Sequence, residues 1–587
     1  MITEHDFDGD SLVDLIEHRA KNQADKIAYT HLKDRDGDIE EISYADFEKR
    51  VKQLAAKLQE FGVEGERIVL MYPPGIDYTV AYFAVIFAGA IAVPVYEPRQ
   101  SNHFNRIESI LADCQPKILL TKEKVIKATS DEILEKLSQF GAIWLTTDSE
   151  EFFTGDEVWQ PVSLSKNSVV FLQYTSGSTG NPKGVMVTNG NLLHNSEMIR
   201  LVTGQDQSSC MVTWLPPYHD MGLIGGLIQP LYTGYQCVIL SPISVIQRPI
   251  KWLNAIRDYK GTISGGPNFI YEACVKRVRD KQLVGCDLSS WQIAFNGAEP
   301  INADTVNAFS ERFEQYGFKH TSHLPCYGMA ETTLMVTSAN HKTSPVISYF
   351  DKDQLQADFG KRSNQIMSAL PLVSSGKVVP DLDIKIVDPD SGHELDDGQV
   401  GEVWVRGDSV ALGYWQKAPI TGEDFVGILE GDTENRYLRT GDLGFIDDQE
   451  VFITGRIKDL IIIRGKNHYP QDIEATVTDA SEHIKPHTGA AFSVEHEGAE
   501  KLVVMQEIDR RLEPEQHHEV KEILKEKIAE YHGLQLFDVK FIRPGTLPKT
   551  TSGKIQRRLA KKVYLDEVLE SAVPLEKPAV ENLREKL

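Results

Sequence analysis

An α/β architecture is predicted: a large N-terminal domain of layered α/β subdomains, carrying a β-rich subdomain as well, followed by a small α+β C-terminal domain. Three observations predict it. From Arg67 to about Gly297, short apolar runs alternate with longer helix-like segments, the pattern of layered α/β structure. From Gly376 to Gly455 the texture changes to short β-like runs separated by Gly and Asp turns, which reads as hairpins. After Arg456 a further α+β unit begins. At 587 residues the chain exceeds one compact core, and a prior of about 150 residues per domain gives three or four folding units. The expected divisions are 1–375, 376–457 and 458–587.

The first strands are predicted at Ile68–Tyr72, Lys117–Thr121 and Cys237–Leu240. Between the first two, Tyr78 to Val95 is apolar over about the length of a membrane span. Gly89 suits a helix end, and Pro94 falls where a spanning helix would have to continue, so the segment reads as a buried helix followed by a buried strand. No integral membrane segment is therefore expected. Leu382–Val387, the turn Asp388–Gly392 and Gly401–Val405 form a predicted hairpin. Farther on, Val520–Ile528 places its apolar residues on one helical face, and Gly533 closes that helix. From about Glu570 the chain mixes Pro with charge and has little to bury, as a surface tail would.

A net charge of −24 argues against a nucleic-acid partner, because phosphate backbones are held by clustered Lys and Arg. The six cysteines are dispersed, with no C-x-x-C pair, which excludes a zinc ribbon or disulfide scaffold and fits a reducing cytoplasm. The acidic N-terminus lacks the basic-then-apolar order of a secretory signal, so a cytoplasmic location is expected.

The apolar run Val169–Leu172 leads into Tyr174-Thr-Ser-Gly-Ser-Thr-Gly-Asn-Pro-Lys-Gly-Val185. Glycines let backbone amides approach an anion, hydroxyls add donors, and Lys183 supplies a positive charge. The segment reads as a grip for a nucleotide triphosphate. It is not a Walker A loop, because Gly177, Gly180 and Lys183 fall three apart and Gly184 follows the lysine. There is no Gly-x-Ser-x-Gly elbow to supply a covalent nucleophile.

Six further motifs follow in order: Tyr218-His-Asp-Met-Gly222, Asn296-Gly-Ala-Glu-Pro300, Tyr327-Gly-Met-Ala-Glu331, Thr440-Gly-Asp-Leu-Gly444, Gly455-Arg-Ile-Lys-Asp459 and Leu547-Pro-Lys-Thr-Thr-Ser-Gly-Lys-Ile555. Together, over nearly the whole chain, they resemble the adenylate-forming superfamily of acyl-CoA ligases, luciferases, nonribosomal-peptide adenylation domains and fatty acyl-AMP ligases. The resemblance implies that ATP is a substrate and Mg²⁺ a cofactor. It assigns Thr175, Ser176, Gly177, Ser178, Thr179, Gly180 and Lys183 to the phosphates. Asn296, Gly297, Ala298, Glu299 and Pro300, with Tyr327, Gly328, Met329 and Ala330, would frame the adenine. Asp442 would accept from the ribose hydroxyls, with Arg456 contributing nearby, and Glu331 would ligate Mg²⁺. Lys554 would neutralise charge as a carboxylate attacks the α-phosphate. His219 would lie beside the acyl carboxylate, with Leu223, Ile224, Leu227, Ile228, Gly265, Gly266 and Phe269 lining an acyl pocket. Core packing is the competing reading of those apolar residues. Lys458 falls at the family's hinge, which would make the small domain mobile.

Two features resemble fatty acyl-AMP ligases in particular: the wording Asn467-His-Tyr-Pro-Gln-Asp472, and a polar insert at about Ser348 to Ser368. The subfamily's insert is thought to disfavour CoA; a longer surface loop without effect is the alternative. The expected reaction is adenylation of a medium- or long-chain fatty acid with release of pyrophosphate, then transfer to the phosphopantetheine thiol of an acyl carrier protein. No phosphopantetheine attachment motif follows Lys554, so the holo carrier is expected to be a separate polypeptide. The run Lys554 to Lys562 is a candidate basic dock for it. An acyl-CoA ligase, an aryl- or amino-acid adenylating enzyme and a non-catalytic nucleotide-binding scaffold are the alternatives.

Overall fold

The computed structural model describes residues 6–34, 37–98, 101–148, 158–175, 182–366, 369–416, 423–432, 434–464, 466–496, 499–509, 512, 514–550 and 553–572. The chain forms two compact units, 1–457 and 458–587.

In the first unit, among the described residues, one sheet has six strands in the order 143–146, 118–121, 67–71, 91–95, 169–175, 183–188. All pairings are parallel except the last, an antiparallel pair that places Thr175 opposite Lys183. A second sheet has nine strands in the order 377–378, 335–338, 323–328, 293–296, 263–266, 210–213, 236–240, 27–32, 39–43. Strands buried on both faces account for near-continuous apolar runs such as Cys237-Val-Ile-Leu240.

The apolar stretch from Tyr78 to Val95 is a buried helix, Ile76–Phe87, and a buried strand, Ile91–Val95. Gly89 makes the reversal between them with φ 76°. Pro94 lacks an N–H, and its strand pairs with Val169–Thr175 through Ala92 and Phe171 alone. No helix among the described residues is long and apolar enough to cross a membrane. The helix instead joins a core that includes Tyr29, Phe47, Phe171 and Leu324.

The run from Leu382 to Arg456 forms a four-stranded antiparallel sheet, 382–387, 401–407, 438–447 and 450–456. The insert is no loose loop. Ile347–Phe350 pairs with Leu370–Val373, a short helix Lys352–Gln356 follows the first strand, and Phe350 sets its edge against Phe445 and Phe452, each at 5.0 Å.

The second unit has a three-stranded sheet, with 489–496 antiparallel and 536–542 parallel to 499–507. Helices Pro470–Asp479 and Pro514–His532 cover one face through Ile473, Val477, Leu524 and Ile528. The helix Arg557–Ala572 covers the other through Ala560 and Tyr564. That helix carries order two residues beyond the expected start of a tail at Glu570, and 573–587 lie outside the described residues.

Candidate active site

The antiparallel pair Val169–Thr175 and Lys183–Thr188 frames the glycine- and hydroxyl-rich loop, whose Ser176, Gly177, Ser178, Thr179 and Gly180 lie outside the described residues. Thr175 ends the first strand and Lys183 begins the second. Lys183 Nζ contacts Asp424 at 3.0 Å and lies 4.3 Å from the centre of the Tyr414 ring. Segment 412–415 extends along this strand, with Met186 donating to the Gly413 carbonyl and Trp415 to that of Gly184.

Tyr414 ties Lys183 to Glu331: its hydroxyl donates to Glu331 Oε1 at 2.9 Å. Glu331 lies in the single turn Ala330–Thr332 and is 7% exposed. Burial pushes its carboxyl above the ordinary glutamate value, against the opposing pull of the Tyr414 hydroxyl and Arg456 and with Asp220 adding to the rise. The turn is held under backbone strain, because Thr333 has φ 67° and ψ −64°, a tight turn that the Leu334 N–H closes onto Thr332 O at 2.8 Å. Thr333 Oγ1 donates to Ser409 O at 2.7 Å and pins it. Gly328 has no room for a side chain, since a Cβ would meet Leu334 O at 1.6 Å. Met329 N donates to Thr332 Oγ1 at 3.3 Å, and Ala330 is buried.

The second cluster joins Tyr327, Asp442 and Arg456. The Tyr327 hydroxyl donates to Asp442 Oδ2 at 2.7 Å, and Arg456 Nε donates to Oδ1 at 2.9 Å. Asp442 and Arg456 are direct partners in the antiparallel ladder, which puts the pair on one face. Burial and the adjacent Asp442 carboxylate drive the Tyr327 phenol well up.

The turn from Asn296 to Pro300 leaves the strand Ile293–Asn296, and Ala298 holds φ 71°. Asn296 Nδ2 lies 3.4 Å from Asn268 Oδ1, while its buried Oδ1 has no partner among the described residues. Gly297 lies against the Cys326 carbonyl, and Pro300 is exposed. Glu299 is already engaged: its Oε1 accepts from the Phe269 N–H at 2.7 Å at the start of helix Asn268–Arg277.

His219 packs beside Tyr218 with ring centroids 5.1 Å apart, just before a π-helix, Met221–Ile228, whose first N–H is taken by Asp220. Leu223, Ile224, Leu227 and Ile228 are buried in the same core as the helix Ile76–Phe87. Gly265 and Gly266 form the buried end of strand Ile263–Gly266, and Phe269 meets Trp214 edge to face at 6.1 Å. A Cβ on Gly266 would stand 2.6 Å from the Trp214 ring.

Lys458 begins the second unit, in the turn Ile457–Asp459. Lys554 is exposed in that unit, in a turn where Thr550 N donates to the Lys554 carbonyl at 2.7 Å and Lys554 N to Thr550 Oγ1 at 3.0 Å. Arg557 nearby is held by Glu474 at 2.7 Å and Asp459 at 3.3 Å.

Tyr414 and Asp424 escaped sequence reading. Their partners lie 83 and 241 residues away, and no local pattern announces such pairs.

Residues 16–415 match the model of the AMP-binding enzyme family, and residues 458–573 match that of the Disco-interacting protein 2-like AMP domain. The chain belongs to the AMP-binding enzymes, the adenylate-forming superfamily, and its relatives include fatty acyl-AMP ligases. It is 38% identical to the medium-chain-fatty-acid–[acyl-carrier-protein] ligase JamA of Moorena producens, over 95% of this chain and 96% of that one. It is 35% identical, over 94% and 98%, to a Mycobacterium tuberculosis protein named as a fatty-acid–CoA ligase, FadD21. A fatty acyl-adenylate ligase from Legionella pneumophila, solved with acyl adenylate and pyrophosphate, superposes with a TM-score of 0.73 at 38% identity, over 95% and 96%.

Proposed function

We infer that this protein activates a medium- or long-chain fatty acid with ATP, releasing pyrophosphate, and passes the acyl group from acyl-AMP to the phosphopantetheine thiol of an acyl carrier protein. One observation carries the reading: Tyr414 joins a buried carboxylate, Glu331, to an ammonium, Lys183, at the exit of the glycine- and hydroxyl-rich loop. A cation and a carboxylate brought together there suit a triphosphate with its metal. The ligase relatives support the substrate and the carrier.

The carboxylate oxygen attacks the α-phosphorus as the bond to the β-phosphate breaks, so negative charge moves onto the leaving pyrophosphate. Lys183 opposes that charge, and Lys554 would do so at the α-phosphate. Asp442 accepts from the ribose hydroxyls, Tyr327 and the 296–300 turn frame the base, and His219 orients the acyl carboxylate. The apolar residues from Leu223 to Ile228 and around Gly266 line the acyl chain.

Glu331 fits a magnesium ligand. It is a hard, buried oxygen donor whose ionised form needs a cation, and among the described residues no group of three His, Cys, Asp or Glu could hold a metal unaided. Magnesium commonly takes one or two carboxylates and completes its shell from phosphates and water. When bound, Mg²⁺ would screen phosphate charge. The six free cysteines suit work in the cytoplasm.

The test is mass spectrometry of products from ATP, Mg²⁺ and dodecanoate to palmitate, with free CoA or a holo carrier added separately. Acyl-AMP that persists with CoA and is consumed by the carrier is expected. Rapid acyl-CoA formation would make the protein an acyl-CoA ligase, and absence of any acyl-AMP would defeat the fatty-acid assignment.

A further inference from the structure

One cation beside the loop has no role in the chemistry above. Arg106 projects from the helix Ser101–Cys114 into electrostatic reach of Tyr96 and Tyr218, whose rings meet edge to face at 5.9 Å. Its Nη2 makes a long, 3.4 Å hydrogen bond to the Tyr174 carbonyl. Its Nε is buried and has no hydrogen-bond partner among the described residues. Burial pulls its ionisation down, and the titratable groups near it, Tyr96 and Tyr218, are phenols that supply no anion at neutral pH. A half-buried guanidinium whose Nε is out of contact with water and which lacks an anion is unfavourable. Such a group is stable where an anion arrives.

Position selects the anion. Tyr174 is the penultimate residue of the strand that leads into the glycine- and hydroxyl-rich loop, and Tyr218 adjoins His219. Lys183, at the far side of that loop, is already paired with Asp424, whereas Arg106 has donors left over. Asn296, Tyr327 and Asp442, on the adenosine side, belong to the nine- and four-stranded sheets, while Tyr174 belongs to the six-stranded one.

We propose that Arg106 is a binding residue for the β- and γ-phosphates of ATP and holds them as they leave as pyrophosphate. This rests on the adenylating reading. As the α-phosphorus gains the acyl oxygen and loses the β-phosphate oxygen, the bond's electron pair goes to pyrophosphate. Guanidinium N–H groups meet that charge in a fork that matches phosphate oxygens, and no proton moves, since arginine stays protonated.

Calorimetry with the full chain, Arg106→Gln and Arg106→Lys, titrated with Mg-pyrophosphate, Mg-ATP and AMP, tests it. Pyrophosphate and ATP are expected to bind at least about tenfold more weakly to Arg106→Gln, with AMP within about twofold of the unaltered chain. Arg106→Lys, which keeps a charge without the fork, falls between. Retained AMP affinity certifies a folded site. Equal losses for all three ligands in both variants, or undiminished pyrophosphate affinity, would overturn the proposal. The two readings fail separately: no acyl-AMP from the unaltered chain refutes adenylation, whereas normal acyl-AMP with undiminished pyrophosphate affinity in Arg106→Gln refutes the role of Arg106 alone.

Discussion

If Glu331 holds Mg²⁺ as proposed, a proton and the metal compete for the same oxygens. Its carboxyl is raised by burial, and the Tyr414 hydroxyl opposes the rise by donating to the ionised form. As pH falls, Glu331 therefore protonates before an ordinary glutamate does, and magnesium-dependent activity is expected to fall with it. Tyr414→Phe removes the opposing donor, so the acid limb of the rate profile should move to higher pH and the Mg²⁺ requirement should rise. A profile at subsaturating Mg²⁺ measures both; an unmoved limb would mean that Glu331 does not hold the metal. His323 carries the opposite kind of shift. It is fully buried among Tyr271, Phe309 and Phe318, and burial pushes its imidazole down to about 3. The unfolded chain takes up that proton near 6.5 and the native protein does not, so stability is full above about 6.5 and is lost as pH falls toward 3. The loss approaches about 1.4 kcal/mol per pH unit. Urea titrations at pH 7 and 5 should show a shallower acid loss for His323→Gln than for the unaltered chain; identical slopes would acquit His323.

The insert shows what an element can do that its composition hides. The stretch from Ser348 to Ser368 reads as a polar insert resembling the subfamily's, with a longer surface loop as the alternative, and its composition gives no sign that Phe350 is fully buried against Phe445 and Phe452 or that Arg362 reaches Asp447 at 2.6 Å. Phe350→Ala should remove about 3–5 kcal/mol from that contact. Hydrogen exchange across 347–373 should accelerate while the six-stranded sheet stays protected. Acyl-CoA should rise in the same variant if a docked insert excludes CoA; an unchanged acyl-CoA yield with a loosened insert would leave the hairpin a purely structural role. Fold class was legible because it depends on local signals: alternation, the Gly89 and Pro94 breakers, and the hairpin turn at Asp388–Gly392. The motif order was legible as family wording. The π-helix Met221–Ile228 was not, since a uniformly apolar run with three glycines carries no period that distinguishes it from an α-helix. Nor was the engagement of Glu299 as a helix cap or of Lys183 by Asp424, because both depend on segments that only tertiary folding brings together.

At the scale of the molecule, the division of labour between the units is the property most open to test. The chain divides between Ile457 and Lys458, and Lys554 belongs to the second unit while Glu331, Tyr414, Asp442 and Lys183 belong to the first. If Lys554 serves adenylation alone, Lys554→Ala should lower acyl-AMP formation by at least about 10²-fold, the loss typical of a deleted oxyanion donor, and still pass synthetic acyl-AMP to a holo carrier. Lys458→Pro should do the reverse. Proline fixes φ near −65° and would hinder any backbone rotation at this position, should the proposed hinge lie there. Adenylation in that variant should stay within severalfold of the unaltered chain while carrier loading falls by more than tenfold, a contrast read by running pyrophosphate release and carrier mass separately. Parallel losses in both assays would instead mean that position 458 supports a single working arrangement. Retained loading in Lys554→Ala together with lost loading in Lys458→Pro would separate the two half-reactions by residue, and would tie the second to a change of arrangement at the boundary itself.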